Sequence, residues 1–234
     1  MAQHNATLPS IRRSTEVADF IERIKQAPAT YRAESRRRLI IAFDATASRQ
    51  ALWDHACQIQ GEMFEATTAL GGIEIQLVFY RGYEECKASR WLTTAADLHR
   101  VMSRVSCVGG HTQIGRVLTH AIRETRSHKV DALIFVGDAM EEQIDELCHH
   151  AGELGRQSVP IFVLQDGDDS EVAAAFRQIA SLSQGAYLDF DSASIGRLKE
   201  LLGAVAVYVA GGSLALAAYA EKTGCEVLRL TYRS

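Results

Sequence analysis

The sequence predicts an α/β fold with three layers, in which a doubly wound and mostly parallel sheet is covered by helices on both faces. Short, continuously apolar runs recur along the chain, and such runs are typical of buried parallel strands. Stretches in which apolar residues have helical spacing separate these runs. Repeated alternation of strand and helix is the pattern of a parallel sheet whose strands are joined by crossover helices.

Each element has a local signal. Predicted strands cover 39–43, 73–80, 86–91, 132–136, 160–164 and 186–190. Predicted helices cover 15–26, 49–70, 94–105, 113–126, 140–155, 169–182 and 194–209. Gly71-Gly72 ends the longest predicted helix. The strand at 86–91 follows a tight turn at Arg81-Gly82, which predicts a hairpin and therefore one antiparallel strand at the sheet edge.

Charge and cysteine content argue against nucleic-acid-binding, disulfide-rich and zinc-ribbon proteins. The net charge of −4 gives no general case for nucleic acid as a partner. Residues 1–38 nevertheless hold eight basic and four acidic residues, and Arg36, Arg37 and Arg38 could contact phosphate or an acidic partner. A solvated approach to the first strand is the preferred interpretation. Five cysteines without a CxxC motif argue against a disulfide framework and a zinc ribbon, so we expect a cytoplasmic protein.

The expected organisation has three parts: a basic N-terminal arm with a short helix at 1–36, a main domain at 37–209 and a C-terminal extension at 210–234. The stretch 201–220 has no charged residue and is long enough to span a membrane. It is rich in alanine and glycine and broken at Gly211-Gly212, so we interpret it as the end of one packed helix and the start of another, with no membrane partner.

Polar residues with oxygen ligands follow the predicted strands. Asp44, Thr46 and Ser48 come directly after the first strand, and Asp138 follows the strand at 132–136. Thr112 lies just before the helix at 113–126. In a doubly wound sheet such loops meet at the carboxyl ends of the strands. Carboxylates and hydroxyls suit Mg²⁺, Mn²⁺ or Ca²⁺ and do not suit zinc or copper.

These three sequence segments resemble the metal-ion-dependent adhesion site (MIDAS) of the von Willebrand factor A (vWA) domain family. The D-x-T-x-S string at 44–48, Thr112 in Gly-Gly-His-Thr-Gln-Ile-Gly and Asp138 in Ile-Phe-Val-Gly-Asp have the order and strand context of that site. The resemblance covers about 37–209. It implies a Rossmann-like sheet of strand order 3-2-1-4-5-6. It also implies that Asp44, Thr46, Ser48, Thr112 and Asp138 bind a metal, directly or through water, and that a partner's carboxylate completes the coordination shell.

Three residues depart from the family pattern or flank it. Thr46 stands where the family usually has serine, which keeps the hydroxyl. Arg49 follows Ser48, where a cation could weaken metal binding. His111 precedes Thr112, and we predict that His111 and Arg49 contact the partner. The alternative is a degenerate site in which Asp44 and Thr112 cap helices.

Further acidic residues lie near the predicted site. Asp166, Asp168 and Asp169 follow the strand at 160–164 and could form an acidic rim, although a solvated loop with one helix-capping aspartate is preferred. Glu141 and Glu142 are predicted to be first-turn acids of the helix at 140–155, which the helix dipole favours.

The sequence therefore predicts a protein-binding adaptor of vWA type that uses Mg²⁺, or Mn²⁺ or Ca²⁺, to bind an acidic residue of another protein. The resemblance extends this to multiprotein assemblies, some containing an AAA-type ATPase. No P-loop, dinucleotide-binding, zinc-protease or serine-hydrolase motif occurs, so an enzyme is not expected. Two alternatives stay open: a divalent-metal-dependent phosphate-ester hydrolase, and a metal-free homodimer built by the arm and the extension, whose run at 226–232 alternates like a strand.

Overall fold

The computed structural model describes residues 8–28, 36–190 and 195–223, which contain a single six-stranded sheet. The strands are β1 (Arg37–Asp44), β2 (Ile73–Arg81), β3 (Glu85–Ala88), β4 (Ala132–Gly137), β5 (Ile161–Asp166) and β6 (Ala186–Phe190). Their order is β3-β2-β1-β4-β5-β6, and every neighbouring pair is parallel except β2 and β3. The predicted strand order and the antiparallel edge strand are confirmed.

Helices cover both faces of the sheet. They are α1 (Leu8–Gln26), α2 (Gln50–Ile59), α3 (Gly61–Thr67), α4 (Ala95–Met102), α5 (Ile114–Ser127), α6 (Ile144–Arg156), α7 (Ser170–Leu182) and α8 (Ile195–Thr223). The core under one face is formed with α5, α6 and α7. The core under the other face is formed with α1, α2, α3, α4 and α8. The predicted three-layer α/β class is therefore confirmed.

The single helix predicted at 49–70 is wrong, because the structure divides this segment. A 3₁₀ turn at Ala47–Arg49 leads into α2, α3 follows, and a second 3₁₀ turn at Thr68–Leu70 ends the segment. The division lies at Gln60, directly before Gly61, the first residue of α3, and glycine is a poor helix former. Gly71 and Gly72 end the segment as predicted, with φ angles of 92° and 79° that favour glycine.

The N-terminal helix belongs to the core. Its residues Val17, Phe20, Ile21 and Ile24 are buried, as their helical spacing predicts. Phe20 packs edge-on against Phe162 of β5, with ring centroids 6.3 Å apart. The helix also contacts β6 and α8, so the segment assigned to the arm contributes apolar surface to the main domain.

The predicted break at Gly211-Gly212 lies within α8, where Gly212 has φ 72° and ψ −165°. By length and composition Gly196–Lys222 could cross a membrane, and it is the one such segment among the residues described. Before the break, the helix buries apolar side chains against β1 and α1. After it, Leu216 and Ala220 are also buried in the core on this face of the sheet. The strand predicted at 226–232 lies outside the described residues.

Two glycines of α6 offer a test of the packing between α6 and α7. A Cβ on Gly155 would lie 2.4 Å from the carbonyl oxygen of Leu182, whereas a Cβ on Gly152 would meet nothing within 4 Å. We expect Gly155→Ala to lower the free energy of unfolding by about 1–3 kcal/mol through overpacking. Gly152→Ala, the matched control, should raise it by about 0.5–1 kcal/mol because alanine favours helix. Urea unfolding of both variants checks this, and equal effects would contradict the packing.

Candidate metal centre

The candidate site lies at the carboxyl edge of the sheet, where β1 and β4 are neighbours. Asp44 is the last residue of β1, and Asp138 directly follows β4. Because the two strands are parallel and in contact, both carboxylates reach the same edge. This is where the strand order reverses, with β2 beside β1 and β5 beside β4. The placement that the sequence predicted for these two aspartates is confirmed.

The first loop gathers three of the predicted ligands. The Asp44 side chain is almost fully buried, and its Oδ1 accepts a hydrogen bond of 2.7 Å from the backbone N–H of Thr46. The 3₁₀ turn that follows brings the Thr46 Oγ1 to 3.3 Å from the Ser48 Oγ. The turn therefore presents two hydroxyls side by side, next to a carboxylate that accepts a hydrogen bond from a backbone donor.

Arg49 lies inside the site. Its Nη2 is 2.9 Å from the Asp138 Oδ2, and its Nε donates a 3.4 Å hydrogen bond to the Ser48 Oγ. Its Nη1 pairs with the carboxylate of Asp166 at the end of β5. A guanidinium has donors in a fixed fork, which explains how one side chain reaches three acceptors. The predicted contact of Arg49 with a partner stays a prediction.

Thr112 is held by Glu141 rather than by the first loop. The Thr112 Oγ1 accepts a 3.0 Å hydrogen bond from the Glu141 backbone N–H, and the Thr112 backbone N–H donates a 2.9 Å hydrogen bond to the Glu141 Oε2. These reciprocal bonds join the loop before α5 to the loop after β4. Within the described ranges, no hydrogen bond joins the Thr112 hydroxyl to the other four predicted ligands.

The interpretation of Glu141 and Glu142 as first-turn acids of their own helix is wrong. The helix predicted at 140–155 begins only at Ile144. Glu142 instead accepts hydrogen bonds of 2.9 Å and 2.8 Å from the backbone N–H groups of Ile114 and Gly115, the first residues of α5. Both glutamates thus satisfy donors on another segment, and their own segment precedes α6.

Burial controls the electrostatics of Asp44. Desolvation raises its pKa from 3.8 to about 6; hydrogen bonds from Thr46 oppose this rise, and the charge of Asp138 adds to it. The Tyr80 hydroxyl, on the neighbouring strand, is buried beside Asp44. Burial and the charge of Asp44 raise the pKa of Tyr80 well above its usual value. The interaction of this hydroxyl with the Asp44 carboxylate lowers the pKa of Asp44 and raises that of Tyr80.

The outer rim of the site carries exposed apolar and aromatic surface. Tyr83 is 75% exposed and packs edge-on against the His111 ring, with centroids 5.1 Å apart. The His111 Nδ1 is 3.1 Å from the Glu141 Oε2. Val108, also exposed, accepts a hydrogen bond at its carbonyl from the Gly82 N–H. His111 is therefore accessible, and its contact with a partner stays a prediction.

The three aspartates after β5 have different roles. Asp169 caps α7, because its side chain accepts hydrogen bonds from the N–H groups of Glu171 and Val172. Asp168 is exposed, whereas Asp166 is buried and pairs with Arg49. The preferred capping aspartate is thus confirmed, but the role of Asp166 was missed. Its position as the last residue of a buried strand, equivalent to that of Asp44 in β1, is the signal that could have identified it.

The donor set fits a hard divalent cation. It consists of carboxylate and hydroxyl oxygens only, which are the ligands that Mg²⁺ and Ca²⁺ prefer. The two hydroxyls 3.3 Å apart and the buried carboxylate beside them fit a cation. In the described parts of the chain no group of three or more His, Cys, Asp or Glu is arranged to hold a metal, and the predicted set has only two such residues.

Solved structures with a similar fold include a vWA domain and a protein with a MIDAS motif. The vWA domain of SpRpn10 matches with a TM-score of 0.57 and 11% identity, over 71% of this chain and 95% of that one. Proximal thread matrix protein 1 from the mussel byssus, in a structure described as having a zinc-occupied MIDAS motif, matches with a TM-score of 0.60 and 18% identity. The fold of this chain is vWA-like.

The extent of these matches differs. This chain spans 49% of the mussel protein, and 76% of this chain is covered. An aerotolerance-related membrane protein from Bacteroides fragilis matches with a TM-score of 0.55 and 14% identity, over 73% of this chain and 98% of that one. No family model matches the chain, and no curated protein sequence matches it. At sequence identities of 11% to 18%, the similarity to these solved structures establishes the fold of this chain alone.

The cap on α5 can be tested through Glu142. We expect Glu142→Ala to lower the free energy of unfolding by about 1–2 kcal/mol, because two helix N–H groups lose their acceptor. Glu142→Gln keeps one oxygen and should recover part of the loss. Glu146→Ala, which removes an exposed acid in the first turn of α6, is the control. Chemical denaturation measures all three, and equal values for Glu142→Ala and Glu146→Ala would contradict the cap.

The raised pKa of Asp44 predicts a pH dependence of stability in metal-free protein. Between pH 4 and 6 the folded state retains a proton that the unfolded state has lost, so stability should fall as pH rises through this window. Asp44→Asn keeps an acceptor for the Thr46 N–H and removes the charge. We expect it to raise the free energy of unfolding at pH 7 by about 1–3 kcal/mol and to flatten the dependence. Thermal unfolding in EDTA from pH 4 to 8 is the measurement; no gain at pH 7 would contradict the burial argument.

Proposed function

We propose that this chain is a protein-binding module of vWA type, which uses a hard divalent cation at the carboxyl edge of its sheet to bind a carboxylate of another protein. Mg²⁺ is the first candidate, and Mn²⁺ and Ca²⁺ are alternatives. Asp44, Thr46, Ser48, Thr112 and Asp138 would hold the ion directly or through water. The observation that carries the proposal is the pair of hydroxyls on Thr46 and Ser48 above the buried Asp44.

The charge of the donor set supports a role in binding. Hydroxyls are neutral, so two carboxylates offset at most the charge of one divalent ion. An additional oxygen from outside can then complete the shell that such ions require. A carboxylate is the protein side chain that supplies an anionic oxygen. The exposed Tyr83, Val108 and His111 beside the site provide further surface for a partner.

The comparisons support the chemistry only at the level of the fold. The mussel protein that shares this fold is described with zinc in its MIDAS motif, so a metal at this place in the fold has a precedent. The hydrolase and the metal-free dimer stay predictions, because no observation favours either of them. An acidic partner in an ATPase-containing assembly is the class that we propose, in keeping with the resemblance found in the sequence.

We also propose a cytoplasmic location. The described cysteines Cys57, Cys86, Cys107 and Cys148 are free thiols. Burial raises the pKa values of Cys57, Cys86 and Cys107 to about 11, which keeps these thiols protonated and unreactive at neutral pH. Free thiols of this kind suit a reducing compartment.

Metal binding and partner binding can be tested together. We expect calorimetric titration of the wild-type chain with Mg²⁺ to show saturable binding, and Asp44→Asn to weaken it by roughly tenfold or more, because a neutral amide replaces an anionic ligand. A peptide array of acidic sequences, paired with their Glu→Gln versions, should retain the wild-type chain in Mg²⁺ and release it in EDTA.

Asp168→Ala is the matched control, since it removes an exposed acid from the same edge of the sheet. It should leave both measurements unchanged. Metal binding equal in wild type and Asp44→Asn would contradict the assignment of the site. Peptide binding that persists in EDTA would contradict metal-dependent binding of the carboxylate. It would indicate a binding surface that does not require the metal.

A further inference from the structure

Arg49 occupies the side of the site where a cation is expected. It follows the two hydroxyl residues of the first loop, and its backbone N–H donates a 3.0 Å hydrogen bond to the Thr46 carbonyl. This closes the 3₁₀ turn that precedes α2. The turn folds the side chain back across the carboxyl edge of the sheet, where only 15% of it remains exposed.

The guanidinium engages atoms that the proposed metal requires. Its Nη2 forms an ion pair with the Asp138 Oδ2 at 2.9 Å, and its Nε donates a hydrogen bond to the Ser48 Oγ. Two of the five proposed ligands are thus in contact with a positive charge that belongs to the chain itself. A divalent ion on the same carboxylate would meet a like charge a few ångströms away, and this repulsion opposes its binding.

We propose that Arg49 is a displaceable cation, which fills the metal position when the ion is absent and must release Asp138 before the ion can bind. This inference rests on the proposed metal site and assigns its regulation. In the metal-free protein, the positive charge of Arg49 offsets the negative charge of the aspartates at the carboxyl edge. These carboxylates are therefore not left without a counter-charge. The affinity for the metal therefore depends on the free energy of replacing the Arg49 guanidinium by the divalent ion at Asp138.

Asp166 provides the position to which Arg49 can withdraw. It lies at the end of β5, on the far side of Asp138 from β1, and it already pairs with the Nη1 of the guanidinium. Asp166 is not among the proposed metal ligands. Arg49 can therefore give up Asp138 and Ser48 while keeping one anionic partner, and its charge is not left unpaired when the ion enters.

The experiment compares Arg49→Met with wild type and with Arg104→Met. Methionine keeps the apolar stem of the side chain and removes the charge, and Arg104 is an exposed arginine in the segment after α4. We expect Arg49→Met to bind Mg²⁺ roughly tenfold more tightly than wild type in calorimetry, because the competing cation is gone. Arg104→Met should bind like wild type.

A second readout follows the metal-free protein. In EDTA at low ionic strength, Arg49→Met should unfold at a lower temperature than wild type, because the aspartates at the edge lose their counter-charge. Added Mg²⁺ should raise its melting temperature by more than it raises that of wild type. Asp166→Asn should weaken Mg²⁺ binding in the wild-type background and have a smaller effect in the Arg49→Met background, a coupling that a double-mutant cycle measures.

The outcomes separate this inference from the proposed function. If wild type binds Mg²⁺ and Arg49→Met binds it equally or more weakly, the displaceable cation is overturned and the metal site stands. If only Arg49→Met binds, the inference is supported and metal-dependent function of the isolated wild-type chain is overturned. If neither binds, the metal site and the exchange are both overturned, and lower stability of Arg49→Met in EDTA would then identify Arg49 as a permanent replacement for the metal.

Discussion

The constraint on which the site depends is the placement of two carboxylates at the ends of neighbouring parallel strands. Asp44 and Asp138 reach the same edge because β1 and β4 are in contact and run in the same direction. Removing a carboxylate from water is costly unless a donor or a cation compensates it. The chain supplies the Thr46 N–H to Asp44 and the Arg49 guanidinium to Asp138. The other contacts at this edge arrange these compensating groups.

A second set of hydrogen bonds holds the loops around this pair in place. Thr112 and Glu141 bond to each other in both directions, and Glu142 caps α5. As a result, the loop after β4, which carries Asp138, and the start of α5 form one connected unit. The position of the Thr112 hydroxyl is therefore coupled to the helix that follows it. A ligand that displaced Thr112 would therefore have to break or rearrange these hydrogen bonds as well.

The first and last described helices add to the core on one face of the sheet. The first helix and the last one pack on the same side of the sheet, and the Tyr208 hydroxyl donates a hydrogen bond to the Ala27 carbonyl between them. Their apolar residues add to the core formed with α2, α3 and α4. The carboxyl edge keeps its exposed residues, among them Ser48, Tyr83 and His111. Stability and accessibility are thus provided by different parts of the fold.

The sequence by itself determined the elements and the identity of the candidate site. Apolar runs located the strands, helical spacing located the buried face of α1, and Gly71-Gly72 marked the end of a helical segment, because these signals are local. The candidate ligands came from the polar residues that follow the predicted strands, and the strand order came from the resemblance. The division at Gln60 and the late start of α6 were missed, because propensity near an element's end is weak compared with tertiary contacts.

Only the tertiary structure decided how the charged residues are paired. Arg49 and Asp166 are 117 residues apart in the chain, and Glu142 lies 28 residues from the N–H group of Ile114 that it caps. No periodicity or short motif links such positions, because their proximity results from the order of the strands in the sheet. The sequence therefore placed the acids and hydroxyls on the right loops and Arg49 beside Ser48, and the folded sheet decided that this arginine pairs with Asp138 and Asp166.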